Sequence, residues 1–318
     1  MIVVNKPLVS VVIPLFNKEN YVEATLQSVV NQTYREIELV VIDDSSTDGS
    51  YQVVQKYLRS HSGRFRNVTV KTRANTGQAG VRNEGILQSK GEFVAFLDAD
   101  DVWHPEKIDM QVQYLTVHQE IGLVFCNYFM IFETSSNIKA VKLSPIERKV
   151  NSWLFTVGYG GLVESTGLAR RLTLLEMGGF QSDLQMCGGL DLAYRFKQNK
   201  EVGCVNEYLC GYRVTQDGWH NNKSDLVQSY ESLLANNDLY GEYEAKVRRC
   251  LEIHLSLWSC RNGFTFRNVA NLFTQFLRNP FIFSSYVFAT TSRVLLATVR
   301  GILLRKESLS MQERMSCR

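Results

Sequence analysis

Five short apolar runs, each divided from the next by a longer segment, constrain this chain more than any other feature. Residues 8–14 (LVSVVIP), 37–43 (IELVVID), 67–72 (NVTVKT), 92–98 (EFVAFLD) and 121–132 (IGLVFCNYFMIF) are rich in β-branched and aromatic side chains. The intervening stretches read as helices. Strands alternating with helices imply a mostly parallel sheet with helices on both faces. The runs are nearly continuous in apolar residues, as expected of strands covered on both sides. The expected class is therefore α/β, a Rossmann-like layered domain.

Open sheets of this kind bind ligands beyond the carboxyl ends of their strands. The residues in that position are Pro14, Leu15, Phe16 and Asn17 after the first run, and DDSSTDGS (residues 43–50) after the second. Arg73, Ala74, Asn75, Thr76 and Gly77 follow the third, and Asp98, Ala99, Asp100 and Asp101 the fourth. The unusual polar chemistry of the first half thus falls on one edge. Asp98 and Asp100 face one side if the chain stays extended there. Together they suit a hard divalent ion, which takes one or two carboxylates plus phosphate oxygens. Asp101 has a second reading, as the cap of a helix that Pro105 helps to start. In DDSSTDGS, capping by Ser45, Ser46, Thr47 or Asp48 accounts for part of the motif. The adjacent acids Asp43 and Asp44 suit a nucleobase N–H or a ribose hydroxyl. Arg73 and Arg82 suit a phosphate or a carboxylate, whereas Glu84 reads as solvated.

Size and charge narrow the class further. The 318 residues allow one large or two modest domains, and a net charge of +3 gives no reason to expect nucleic acid. Seven cysteines without a CxxC pair read as reduced thiols of an intracellular protein. The first residues, MIVVNKPLVSVVIPLFN, read as the approach to a strand and not as a signal peptide. Residues 161–215 combine a strand-like segment, a glycine-rich stretch and a helix near 190–199, and the pattern is helical from about 224 onward.

Four motifs, PLFN, VVIDDSSTDGS, RANTGQAGVRNEG and FLDADDVWHPEKI, stand in one order and spacing. Together they resemble the family 2 glycosyltransferases of the GT-A fold, closely over residues 8–110 and loosely to about 215. The resemblance implies an inverting transfer of a sugar from a nucleotide diphosphate donor, UDP in particular, to an acceptor hydroxyl. It implies a nucleotide pocket lined by Pro14, Asn17, Asp43, Asp44, Arg73 and Asp98. It implies a Mg²⁺ or Mn²⁺ ion held by Asp100, with Asp98 and His220 beside it, acting as a Lewis acid on the departing diphosphate. Arg213 and Trp219 are further candidates, for the diphosphate and for stacking on a sugar.

One part of the likeness departs from the family. Its acidic pair, which supplies the catalytic base, aligns with Gly188 and Gly189. Asp191, two residues on, is the expected substitute, with Asp183 another nearby acid. A relative that binds nucleotide-sugar without turnover stays open, as does a nucleotidyltransferase on a similar sheet.

The expected organisation is a catalytic domain over residues 1–220 and a helical extension over 221–318. Residues 264–306 are apolar but carry Arg278, Arg293, Arg300, Arg305 and Lys306. A spanning helix wants about 20 mostly uncharged residues, and Arg293 interrupts the best candidate. Arg293 and Arg300 share one helical face, which suits an amphipathic helix on an anionic membrane surface. The alternative is a helix packed on the catalytic domain or on a second subunit, which leaves a homo-oligomer open. The expected acceptor is a glycan or lipid-linked glycan met at the cytoplasmic face of a membrane.

Overall fold

The computed structural model describes residues 6–133, 138–141, 163–182, 184, 188–199 and 201–215. The chain divides into two units, Met1–Glu244 and Ala245–Arg318, and the described residues all lie in the first. Strand β1 (Val9–Leu15) pairs in parallel with β2 (Ile37–Asp43) on one side and β4 (Phe93–Phe96) on the other. Strand β3 (Asn67–Thr72) extends the sheet beyond β2, again in parallel. Beyond β4 the direction reverses through the short antiparallel strand β8 (Leu168–Arg170), which leads to the long strands β6 (Ile121–Phe132) and β9 (Glu201–Val214). Two short strands complete it, β5 (Val102–Trp103) on β9 and β7 (Ile138–Val141) on β6. Among the described residues nine strands form one mixed sheet in the order β3-β2-β1-β4-β8-β6-β9-β5, with β7 paired to β6 off that path.

The runs became strands for the reason their composition suggested. Val9, Val11, Val12, Ile13, Ile37, Leu39, Val40, Val41 and Ile42 are all wholly buried, so alternate residues of β1 and β2 meet cover on opposite faces. The covering helices are α1 (Val22–Val30), α2 (Ser50–His61), α3 (Gly77–Gln88) and α4 (Lys107–Val117). Helices α5 (Arg171–Glu176) and α6 (Gly188–Asn199) follow β8. Helix α3 approaches β1 so closely that a Cβ on Gly85 would lie 2.2 Å from Val12 Cγ1. Only glycine leaves room for that contact.

The chain leaves β1 for β2 on one side and later returns to add β4 on the other. The carboxyl end of β1 is therefore a switch point, where the loops following β1 and β4 diverge and open a crevice. Strand β5 and the reversal through β8 were not foreseen. Residues 161–215 do contain the expected strand, now β8, and the helix near 190–199, now α6, and add the long β9.

Candidate active site

The crevice is built from four loops. Beyond β1, Asn17 takes a left-handed backbone with φ of 50°, which asparagine tolerates better than most residues. Its Oδ1 accepts from Thr47 N at 2.8 Å, and its own N–H donates to Ser46 Oγ at 3.1 Å, so the first and second loops are laced together. Pro14, half-buried, lies beside Ile42 in the β1–β2 register. Asp43 is buried, and its Oδ1 accepts from Ser46 N at 3.2 Å. Asp44 is also buried, but its two oxygens accept from Thr76 N and Gly77 N at 3.0 and 3.1 Å. It thereby holds the entry to α3 from the loop of the neighbouring strand. Asp48 Oδ1 accepts from the N–H of Ser50, the first residue of α2, while the N-cap position itself is Gly49. Arg73 donates from Nη1 to Gly80 O at 2.8 Å.

The acidic stretch after β4 splits into three fates. Asp98 Oδ1 accepts from Arg82 Nη2 at 2.6 Å, and the Arg82 side chain is only 4% exposed. Burial alone would lower the Arg82 guanidinium, yet the carboxylates of Asp98 and Glu164 outweigh it and hold the charge in place. Asp100 Oδ2 lies 2.9 Å from Lys18 Nζ. Its carboxyl is pushed up by desolvation, a shift that Lys18 opposes and Asp98 reinforces. Asp101 is wholly buried and does not cap α4, which starts only at Lys107. Its Oδ2 accepts from Ser165 Oγ at 2.6 Å and its Oδ1 from Arg213 N at 2.8 Å. Desolvation, then the charges of Asp100 and Asp98, push it well above the usual carboxylate range. Arg213 also donates from Nε to Asp100 O at 2.8 Å, so its guanidinium braces the acidic turn.

Glu164 opens a short 3₁₀ turn, Glu164–Thr166, that packs against this edge. Ser165 Oγ accepts from Asp98 N at 3.0 Å, and Ser165 O accepts from Trp103 Nε1 at 2.7 Å. Glu164 is half-buried, and its Oε1 accepts from Gly189 N at 2.9 Å at the start of α6. Desolvation raises its carboxyl, Arg82 opposes the rise, and Asp98 adds to it.

Asp191 is placed differently from expectation. It is wholly buried within the first turn of α6, with Oδ2 accepting from Arg195 Nε and Nη2 at 2.9 and 2.6 Å. Arg195 in turn donates to Met177 O and Gly179 O, tying α6 to the turn before it. A carboxylate with no exposed surface, clamped by a guanidinium, does not meet an acceptor hydroxyl unless α6 moves. Asp183, Trp219 and His220 lie outside the described residues.

Asp98 and Asp100 supply hard oxygen donors of the kind Mg²⁺ and Mn²⁺ take, with diphosphate oxygens to complete the shell. Among the described residues no group of three or more His, Cys, Asp or Glu side chains gathers as a metal cage. The Lys18 ammonium on Asp100 marks where positive charge is favoured. The two acids therefore fit an ion shared with a ligand and do not fit a site complete on its own.

Residues 10–161 match the family model described as glycosyl transferase family 2. Over 242 residues the chain is 30% identical to the UDP-Glc:alpha-D-GlcNAc-diphosphoundecaprenol beta-1,3-glucosyltransferase WfaP of Escherichia coli, covering 76% of this chain and 84% of that protein. The chain belongs to glycosyl transferase family 2. This glycosyltransferase is also 27% identical over 223 residues to the putative teichuronic acid biosynthesis glycosyltransferase TuaG of Bacillus subtilis, covering 69% of the chain and 83% of TuaG. Its fold matches that of S. aureus TarS 1-349 in complex with UDP, with a TM-score of 0.60 at 19% identity, covering 90% of this chain and 82% of that one. It likewise matches mannosyltransferase PcManGT from Pyrobaculum calidifontis in complex with GDP-Man and Mn2+, with a TM-score of 0.59 at 20% identity, covering 92% and 88%. The architecture is thus the GT-A-like one expected, and the nucleotidyltransferase reading is set aside.

The fold brings together Pro14, Asn17, Asp43, Asp44, Arg73, Asp98 and Asp100 along one edge. Lys18, Ser165 and Glu164 join that edge without having been singled out from the sequence. Lys18 follows directly on the PLFN motif, which was the available signal. Glu164 sits in no motif, and only its tertiary neighbours mark it.

Proposed function

We propose that this glycosyltransferase moves a hexose from a UDP-sugar to a hydroxyl of a lipid-linked or polysaccharide acceptor, with inversion, at the cytoplasmic face of a membrane. The observation that carries the reading is the acidic turn at the β1–β4 crevice. There Asp98 and Asp100 each hold a cationic side chain, at 2.6 and 2.9 Å. Asp43 receives the uracil N–H, while Arg73 and Pro14 flank the base. Asn17 and Asp44 shape the pocket by tying its loops. Asp98 accepts from the ribose, and Asp100 binds Mg²⁺ or Mn²⁺, with His220 a further candidate ligand. The bound ion supplies Lewis acidity to the departing diphosphate. Lys18, an ammonium already placed at Asp100, would meet the charge of the diphosphate with little reorganisation. The WfaP likeness supports an acceptor on a diphospholipid and a role in surface polysaccharide assembly. The basic, apolar segment 264–306 supports membrane contact, and among the described residues no helix is long and apolar enough to cross a membrane.

The test pairs binding with turnover. Calorimetry should show UDP binding strengthened at least ten-fold by Mn²⁺, and Asp100→Ala should abolish that enhancement while metal-free binding persists. In parallel, UDP release from UDP-glucose, UDP-galactose and UDP-GlcNAc is followed with GlcNAc-diphosphoundecaprenol in vesicles. Binding of UDP without release from any of the three donors would leave a non-catalytic nucleotide-sugar-binding protein instead.

A further inference from the structure

The helix that should carry the family's acidic pair begins with Gly188 and Gly189, so the reaction lacks its expected proton acceptor there. Asp191, in the first turn of the same helix, is buried and clamped by Arg195. A different carboxylate, Glu164, lies beside the two glycines. A Cβ built on Gly188 would lie 3.7 Å from Glu164 Oε1, an ordinary contact, so the glutamate's head group borders the position where a side chain at 188 would begin. The N–H of Gly189 donates to that same oxygen at 2.9 Å. An acid arriving from another part of the chain thus stands directly beside the two glycines.

Its support is rigid. The neighbouring Ser165 is wholly buried and bonded at once to Asp98 N, Asp101 Oδ2 and Trp103 Nε1. Thr166 O accepts from the buried Gln111 Nε2 at 2.8 Å. Glu164 is therefore carried on a turn fixed to the acidic edge of β4, as a group that must meet a reacting atom needs to be. Its Oε2 takes no hydrogen bond from another described residue, while Oε1 is held by Gly189.

We propose that Glu164 is the catalytic base of this enzyme, replacing the acidic pair that Gly188 and Gly189 have displaced. The inference rests on the transferase reading above. The acceptor hydroxyl gives its proton to Glu164 Oε2. Its oxygen lone pair forms the new bond to the anomeric carbon, and the bond from that carbon to the diphosphate oxygen breaks, its electron pair leaving with UDP. Gly188 is then part of the device, because a Cβ there would press on Phe180, whose Cδ1 would be 3.2 Å away, in contact with Glu164 Oε1 at 3.7 Å.

Glu164→Gln is the informative variant, since its side-chain oxygen still accepts from Gly189 N–H and preserves the start of α6. In the UDP-release assay with the full chain, kcat should fall by about 10²–10⁴-fold, the usual worth of a general base. The KM for the donor, and the UDP affinity in Mn²⁺, should stay within about three-fold of wild type, a split that loss of a helix cap would not produce. Glu164→Ala combined with Gly188→Asp returns a carboxylate to the same space, and a regain of ten-fold or more over Glu164→Ala supports the assignment. If wild type turns over and Glu164→Gln keeps more than a third of its kcat, Glu164 is only a cap and the proposal falls alone. If wild type releases no UDP from any of the three donors, the transferase reading fails and takes the base with it.

Discussion

Arg82 offers the most stringent check on the electrostatics of the acidic edge. Its guanidinium is nearly sealed from water, donates to Asp98 Oδ1 at 2.6 Å and to Gln78 Oε1 at 3.0 Å, and lies 5.6 Å from the Phe180 ring centre. Replacing it by methionine keeps most of the volume and removes the charge. Breaking a buried pair from one side costs about 3–5 kcal/mol. The Asp98 side chain is 22% exposed, so water recovers part of this and about 2–3 kcal/mol is expected. Asp98→Asn should cost less, about 1–2 kcal/mol, because Arg82 keeps Gln78 and the Glu164 charge. The double variant should then be more stable than the sum of the single losses predicts, by about 1–2 kcal/mol. Urea unfolding of all four proteins at pH 7, in EDTA and without nucleotide, measures the cycle. Additivity within about 0.5 kcal/mol would refute the pairing as an energetic unit.

Two further outcomes concern the core. Burial pushes the Cys126 thiol up from 9.0 to about 11, and Lys107 only partly opposes it. A thiol raised in the folded state keeps its full contribution below the unfolded value and loses it as pH climbs. Wild type should thus lose on the order of 2 kcal/mol relative to Cys126→Ala between pH 9 and pH 11, and parallel pH–stability curves would count against this. Gly85→Ala should lower stability by about 1–3 kcal/mol despite alanine's helix preference, since its Cβ would fall 2.2 Å from Val12 Cγ1. Thermal melts should show Val12→Ala recovering most of that loss in the double variant, and an equal loss in both backgrounds would exclude the overlap as its cause.

Much of the site's outline was legible from the chain. The runs at 37–43 and 92–98 announce strands, and the acids at their ends had to fall on one edge once the strands ran parallel. The individual acids were less legible. Asp44 suited a nucleobase N–H or a ribose hydroxyl, and its two oxygens accept from Thr76 N and Gly77 N. Asp101 looked like a helix cap and is a buried brace for Ser165 and Arg213. Asp191 matched the place for a base and is locked to Arg195. In each case the deciding partner stands on another loop, or on a later turn of the same helix, and its approach depends on how the elements pack.

By itself, the sequence determined the alternation of the five apolar strands with helices and the edge on which polar loops gather. Those properties follow from local patterning: which residues are apolar, at what period, and where the run stops. Tertiary structure alone decided which carboxylate stays near water, which is neutralised, and which is buried. Arg213 reaches Asp101 across 112 positions of chain, and Glu164 reaches Gly189 across 25. A carboxylate's chemistry is set by the charges and donors within a few ångströms of it, and no spacing within a motif specifies neighbours that distant.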